Sequence, residues 1–149
     1  MPQQPFHSYD PKKVLLSWGP LTDVITGFAE GTFIKVGRKE DGWKSKGGAD
    51  GETTRIQNRN RQGRITIVLK QGSRANAILS AIAQADENSG AGVGPITIMD
   101  MSGATPQTAA AAVNAWIVKI PEAGFAGQDE ETRTWEFDTD TLEIFIGGN

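Results

Sequence analysis

The 149-residue chain has no cysteine, a single histidine and a single tyrosine. Without cysteine there are no disulfides, no thiolate nucleophile and no cysteine-based zinc site, and a reducing compartment fits that composition. His7 is the only residue on which a Ser-His-Asp triad or a histidine metal site could rest. It sits in a polar, proline-containing arm, "MPQQPFHSYDPKK", and reads as a solvated side chain. No apolar run approaches the roughly 20 residues that a membrane helix needs. The N-terminus has no basic start followed by an apolar stretch, so neither a membrane segment nor a secretory signal is expected.

Phosphate and metal motifs are equally scarce. "GAGVGP", residues 90 to 95, leaves a helical pattern and enters a strand. A dinucleotide fingerprint needs the reverse order, because the helix N-terminus holds the pyrophosphate. Asp138, Asp140 and Glu143 are hard-cation ligands by type, yet an EF-hand-type loop needs more ligands and a central glycine. They read as an acidic hairpin turn. No pair of carboxylates sits beside a feature that would split their pKa values for acid–base work. The chain is therefore expected to be no enzyme and to take no cofactor or metal.

What is present is an uneven charge distribution. The net charge is −3, but residues 35 to 74 hold eleven basic residues against four acids, a local +7. The rest carries four basic and fourteen acidic residues, or −10, crowded toward Asp129, Glu130, Glu131, Glu136, Asp138, Asp140 and Glu143. Two readings follow. In one, the charges mix over a solvated surface once the chain folds. In the other, one surface of the molecule attracts a different surface of its own copies.

Hydrophobic alternation predicts a mainly β fold. Strands are expected at Val14 to Trp18, Phe33 to Arg38, Thr53 to Asn58, Arg64 to Lys70, Ile96 to Met101, Ala115 to Ile120, Thr132 to Phe137 and Leu142 to Ile146. The last two are expected to pair as a hairpin around "DTDT". Gly27 and Gly31 point to a bend, and Asp41-Gly42 and Asp50-Gly51 to tight turns. One helix, about residues 73–87, follows from Ser73 as N-cap and Ala75, Ile78, Leu79 and Ile82 as an apolar stripe. "GATPQTAAAAV" reads as a short helix or an alanine-rich loop. The sum is an antiparallel β-barrel or sandwich with one flanking helix, in one domain of 149 residues that buries roughly 70% of its unfolded surface.

The segment "WKSKGGADGETTRIQNRNRQGRITIVL" joins an exposed glycine, amide and basic run to a strand. Nucleic-acid binding is one reading of Arg55, Arg59, Arg61 and Arg64 with Asn58 and Asn60. Single-strand binders interleave stacking aromatics with such residues, whereas this stretch has only Trp43, and the pI of about 5.2 opposes it. Self-association is the other reading. A basic hairpin and an acidic C-terminal half are complementary, and such heterologous contacts generate rings or filaments. Charge pairs would set register, with Trp43 and Phe125 as apolar anchors.

The run from Phe33 to Ile82 carries a resemblance. The strand FIKVGR, the DGW tripeptide, the GADGE turn, the NRNR stretch, the strand RITIVL, and SRAN opening the ILSAI helix follow in that order. In this the chain resembles the tail tube proteins of contractile-tailed bacteriophages, more loosely through "PITIMDMSG" and the terminal strands. The resemblance implies a small β-barrel with a flanking helix, a fold shared with the tube protein of type VI secretion. It implies homo-hexameric rings stacked into a hollow tube inside a contractile sheath, with baseplate and tail terminator proteins as further partners. It places the protein in the virion tail, assembled in the host cytoplasm, with the genome passing through the lumen without specific binding.

Carried onto this chain, the resemblance makes residues 42 to 62 an inter-ring hairpin and residues 1–11 an N-terminal arm. Trp43, Lys44, Lys46, Asp50, Glu52, Arg55, Arg59 and Arg61 become interface residues, of which Lys44, Lys46, Arg55, Arg59 and Arg61 would face acids of a neighbour such as Asp129, Glu130 and Glu131. Glu136, Asp138 and Glu143 become candidate lumen-facing acids. A tube subunit of a related contractile injection machine and a monomeric β-barrel that binds polyanions stay open beside it.

Overall fold

The computed structural model describes residues 8–21, 23–103 and 107–146. His7 and most of the expected N-terminal arm lie outside the described residues. The strands are β1 (Val14–Trp18), β2 (Ile34–Arg38), β3 (Trp43–Gly47), β4 (Thr53–Gln57), β5 (Gly63–Lys70), β6 (Gly94–Asp100), β7 (Gln107–Lys119), β8 (Thr132–Thr139) and β9 (Leu142–Ile144). Among the described residues one α-helix, α1 (Arg74–Ser89), is present and separates β5 from β6.

β5 shows why the main sheet forms where it does. Ile65, Ile67 and Leu69 are wholly buried while Arg64, Thr66, Val68 and Lys70 turn outward, the period-2 pattern of a half-buried strand. β6 and β8 alternate in the same way, burying Ile96 and Ile98, then Trp135 and Phe137. Each such side chain removed from water contributes about 1.5–3 kcal/mol before the entropy cost of ordering it. The strands join in the order β1-β6-β7-β8-β5-β2, antiparallel throughout. β1 and β2 end this order unpaired to each other, so the sheet is a curled, sandwich-like layer and not the closed barrel expected as one alternative. A separate two-stranded sheet is made by β3 and β4.

The helix lies across the inner face of the main sheet. Ser73 caps it, its hydroxyl accepting from Ala75 N–H at 3.3 Å and donating to Thr26 C=O at 2.7 Å. Gly90 closes it as a left-handed C-cap. The buried stripe is Ala75, Leu79 and Ala83, with Ile82 packed beside it. Ile78, expected in that stripe, is half-exposed: at about 100° per residue it falls on the flank of a face centred near Leu79. Asn76 Oδ1 accepts from Trp135 Nε1 at 2.9 Å, which ties the first helical turn to β8.

Three expectations about local structure are corrected. From Gln107 on, the alanine-rich run is neither helix nor loop but part of β7, a 13-residue strand, while residues 104–106 lie outside the described residues. Ala110, Ala112 and Ala115 face the core, and their small size lets Trp18 reach the backbone, where its Nε1 donates to Ala115 C=O at 3.0 Å. The "DTDT" stretch is no hairpin turn. Thr139 stands opposite Ala115 and Leu142 opposite Ala112, so β8 and β9 run on along β7 in one register. Asp140 holds the chain to that path, its carboxylate accepting from Asn114 Nδ2 at 2.7 Å and its N–H donating to Asn114 C=O. Finally, Asp50-Gly51 makes the turn between β3 and β4, with Gly51 at φ +88°, whereas Gly42 has no positive φ and Asp41-Gly42 only leads into β3.

Candidate functional site

Every residue of β3 and β4 is exposed. A two-stranded ribbon with no packed face is marginal in isolation, so what holds it is local. At its base, Lys39 N–H donates to Gln62 C=O and Asn58 N–H to Gly42 C=O. Asn58 Nδ2 and Asn60 Nδ2 both donate to Glu40 Oε2, at 2.9 and 3.1 Å. These two amides hold the Glu40 carboxyl below its ordinary range, against a small opposing effect of burial. Asn58 and Asn60 also accept, through Oδ1, from the backbone N–H of Asn60 and Gln62. In "NRNRQ" the amides thus build a neck. At the tip, Asp50 Oδ1 accepts from Glu52 N–H at 3.1 Å and Glu52 C=O from Gly48 N–H at 2.7 Å.

The register gives the ribbon two distinct faces. Trp43 opposite Gln57 and Ser45 opposite Arg55 share one face, where the Arg55 guanidinium lies 3.7 Å from the centre of the Trp43 ring. Lys44 opposite Ile56 and Lys46 opposite Thr54 share the other. Among the described residues no carboxylate lies within 4 Å of Lys44, Lys46, Arg55 or Arg59.

Four cations at the root of the arm are engaged within the subunit, whereas Lys35, Lys70 and Arg74 elsewhere in the basic segment also have no carboxylate within 4 Å among the described residues. Lys39 reaches Asp138 at 2.7 Å, and Arg64 reaches Asp138 at 3.0 Å and Glu136 at 3.9 Å. Arg61 lies 3.4 Å and Arg38 3.9 Å from Glu143, while Arg38 Nε donates to Leu142 C=O. Charge mixing thus covers the root of the arm and stops at the ribbon. Burial raises the pKa of Asp138, but hydrogen bonds and charge from Lys39 and Arg64 outweigh it and leave the carboxyl below its usual range. Glu136, Asp138 and Glu143 alternate with core residues, so they project from the face of the sheet opposite the core. Among the described residues no three His, Cys, Asp or Glu side chains cluster as a metal site.

The remaining expected interface acids lie elsewhere. Glu130 Oε1 accepts from Gly72 N–H at 2.8 Å, Asp129 Oδ1 accepts from Glu130 N–H, and Glu131 N–H donates to Gln71 Oε1. Asp129 and Glu130, with Gln71, Gly72, Phe125 and Ala126, line a shallow depression of about 460 Å³. The Phe125 ring is 80% exposed, with the Arg133 guanidinium 5.3 Å from its centre.

The two regions occupy opposite ends of one strand pair. Gly63, where β5 leaves the neck, pairs with Thr139, and Lys70, next to Gln71 and Gly72, pairs with Thr132. The seven steps from Gly63 to Lys70 at ~3.3 Å each put roughly 23 Å of strand between the basic arm and the acidic loop.

Comparison with known proteins bears on this arrangement. The model of the bacteriophage PhiTE tail tube protein family matches residues 19–147. The structural protein ORF10 of Pseudomonas phage KPP10 is 31% identical over 131 residues, covering 87% of this chain and 73% of that protein. Two cryo-EM structures share the fold. The anti-feeding prophage cap, a tube-terminating cap, has a TM-score of 0.61 at 12% identity, covering 99% of this chain and 95% of its own. The sheath/tube terminator of an extracellular contractile injection system, in its extended state, has 0.59 at 13%, covering 97% and 99%. The family is one of phage structural proteins and not of enzymes. With the match running through both the arm and the acidic loop, the chain belongs to the bacteriophage PhiTE tail tube protein family.

Proposed function

We propose that this chain, as a single tail-tube-like domain, is the repeating subunit of a hollow phage tail tube. Six copies close a ring, rings stack through the β3–β4 ribbon, and the tube sits within a contractile sheath between baseplate and terminator. The observation that carries this reading is the ribbon itself: an arm with all ten strand residues exposed and four cations without a carboxylate partner among the described residues. A folded subunit keeps such an arm ordered at its neck for something outside itself.

The face opposite the core, with Glu136, Asp138 and Glu143, is the proposed bore lining. Each of these acids is paired with Arg64, Lys39 or Arg61, so the surface there is close to charge balance. Passing DNA gains no release of counterions from it and slides.

Negative-stain microscopy across a concentration series, with light-scattering mass on the same samples, tests this reading. Rings or hollow tubes are expected. A constant monomeric mass together with salt-dependent binding to DNA would favour the polyanion-binding alternative. A second reading, a component of a related contractile injection machine, draws only on the fold shared with the cap and the terminator.

A further inference from the structure

We propose that the arm of one copy seats in the Phe125 depression of the next, through its Lys44–Lys46–Ile56 face. The inference rests on the stacking reading and adds to it the acceptor and the face that docks. The ribbon has two faces, and they are not equivalent. On one, the Arg55 guanidinium lies over one side of the Trp43 ring, 3.7 Å from its centre, although Trp43 stays 47% exposed, so a cation rather than a bare apolar centre meets a partner there. On the other, Ile56 is 44% exposed beside Lys44, with Lys46 and Thr54 further along. That face presents an apolar centre bordered by two ammonium groups.

The acceptor is its complement. Phe125, 80% exposed, supplies an apolar ring, and Asp129 and Glu130 line the depression, with Glu122 and Glu131 on the same exposed loop. Glu130 is partly committed to Gly72 N–H. Apolar burial at the centre supplies affinity, while the charged rim sets orientation and encounter rate. Because arm and depression lie at opposite ends of the β5–β8 pair, copies stacked end to end in one orientation meet through a heterologous contact. It leaves a free arm at one end and a free depression at the other. Repetition then builds an open-ended stack of one polarity along the strand direction.

The absence of cysteine makes a cross-linking test clean. Thr54→Cys with Ala126→Cys places thiols on the proposed docking face and in the depression. Ser45→Cys with Ala126→Cys uses the opposite face of the same ribbon. All three positions are exposed, and circular dichroism is the check that each variant folds. Under mild oxidation the first pair is expected to give a ladder of oligomers that collapses on reduction, at least tenfold more intense than that of the second. An equal or stronger ladder from the Ser45 pair would overturn the choice of face. Arm-to-arm dimers from Thr54→Cys alone, without a ladder from the pair, would overturn the head-to-tail contact. Tubes on the grid with no ladder from either pair would place the acceptor elsewhere and leave stacking intact. Monomer mass with no ladder at any concentration would remove the stacking reading and this inference together.

Discussion

Lys39 Nζ lies 2.7 Å from Asp138 Oδ2, joining the start of the basic segment to the acidic strand 99 residues later. Arg64 holds the other carboxylate oxygen at 3.0 Å. The Asp138 pKa is lowered in the folded state, so its pairing stabilises the fold above the unfolded carboxylate value of about 3.9. That contribution is lost as pH falls through the depressed folded value. Asp138→Asn is expected to cost about 1 kcal/mol at pH 7, a discounted figure because Lys39 and Arg64 are partly exposed. The difference from wild type should shrink below pH 4 in urea melts run across pH. A difference that stays constant to pH 2 would rule out the ion pairs as its source.

Gly63 is held by contact and not by an unusual φ. A Cβ there would fall 2.2 Å from Leu142 Cδ2 and 2.7 Å from Leu142 Cβ, and Leu142 is wholly buried. Gly63→Ala is expected to lose about 1–3 kcal/mol by overpacking where the neck meets β9. Denaturant midpoints measure it, and an unchanged midpoint would mean that Leu142 yields freely.

Glu40 closes the neck of the arm without touching the core. Glu40→Ala is expected to shift the thermal midpoint by less than about 2 °C, as surface changes do in a chain of this size. Trypsin should then cut faster after Lys44, Lys46 and Arg55, because Asn58 and Asn60 lose their common acceptor. Cleavage at the wild-type rate would show that the backbone bonds of the neck suffice.

The sequence makes these elements visible to unequal degrees, for physical reasons. β5 and the Ser73 cap are legible because alternation and capping are local signals. The first half of β7 is not, since a run of alanines shows no polarity contrast and has high helix propensity, and only its partners make it a strand; its second half, from Ala115, does show as a strand. Asp-Thr-Asp-Thr has turn chemistry, yet Asn114 uses Asp140 to keep the chain straight along β7. The arm stands out by composition, but its neck depends on Glu40 meeting Asn58 and Asn60 across 18 and 20 residues, which no local pattern encodes. The spacing of charges likewise marks Arg59 and Arg61 alike, although Arg61 faces Glu143 within the subunit and Arg59 does not.

That distinction selects the decisive variant. Reversing Arg61 would break an internal ion pair as well as any contact between copies. Lys44→Glu with Lys46→Glu changes only cations that have no carboxylate within 4 Å among the described residues. The most direct measurement is the length distribution of assemblies formed by this double variant beside wild type, by negative-stain microscopy at matched concentration and ionic strength. A folded variant that stops at single rings or monomers, next to wild-type tubes, is the expected result. Tubes of wild-type length from the variant would contradict stacking through the arm.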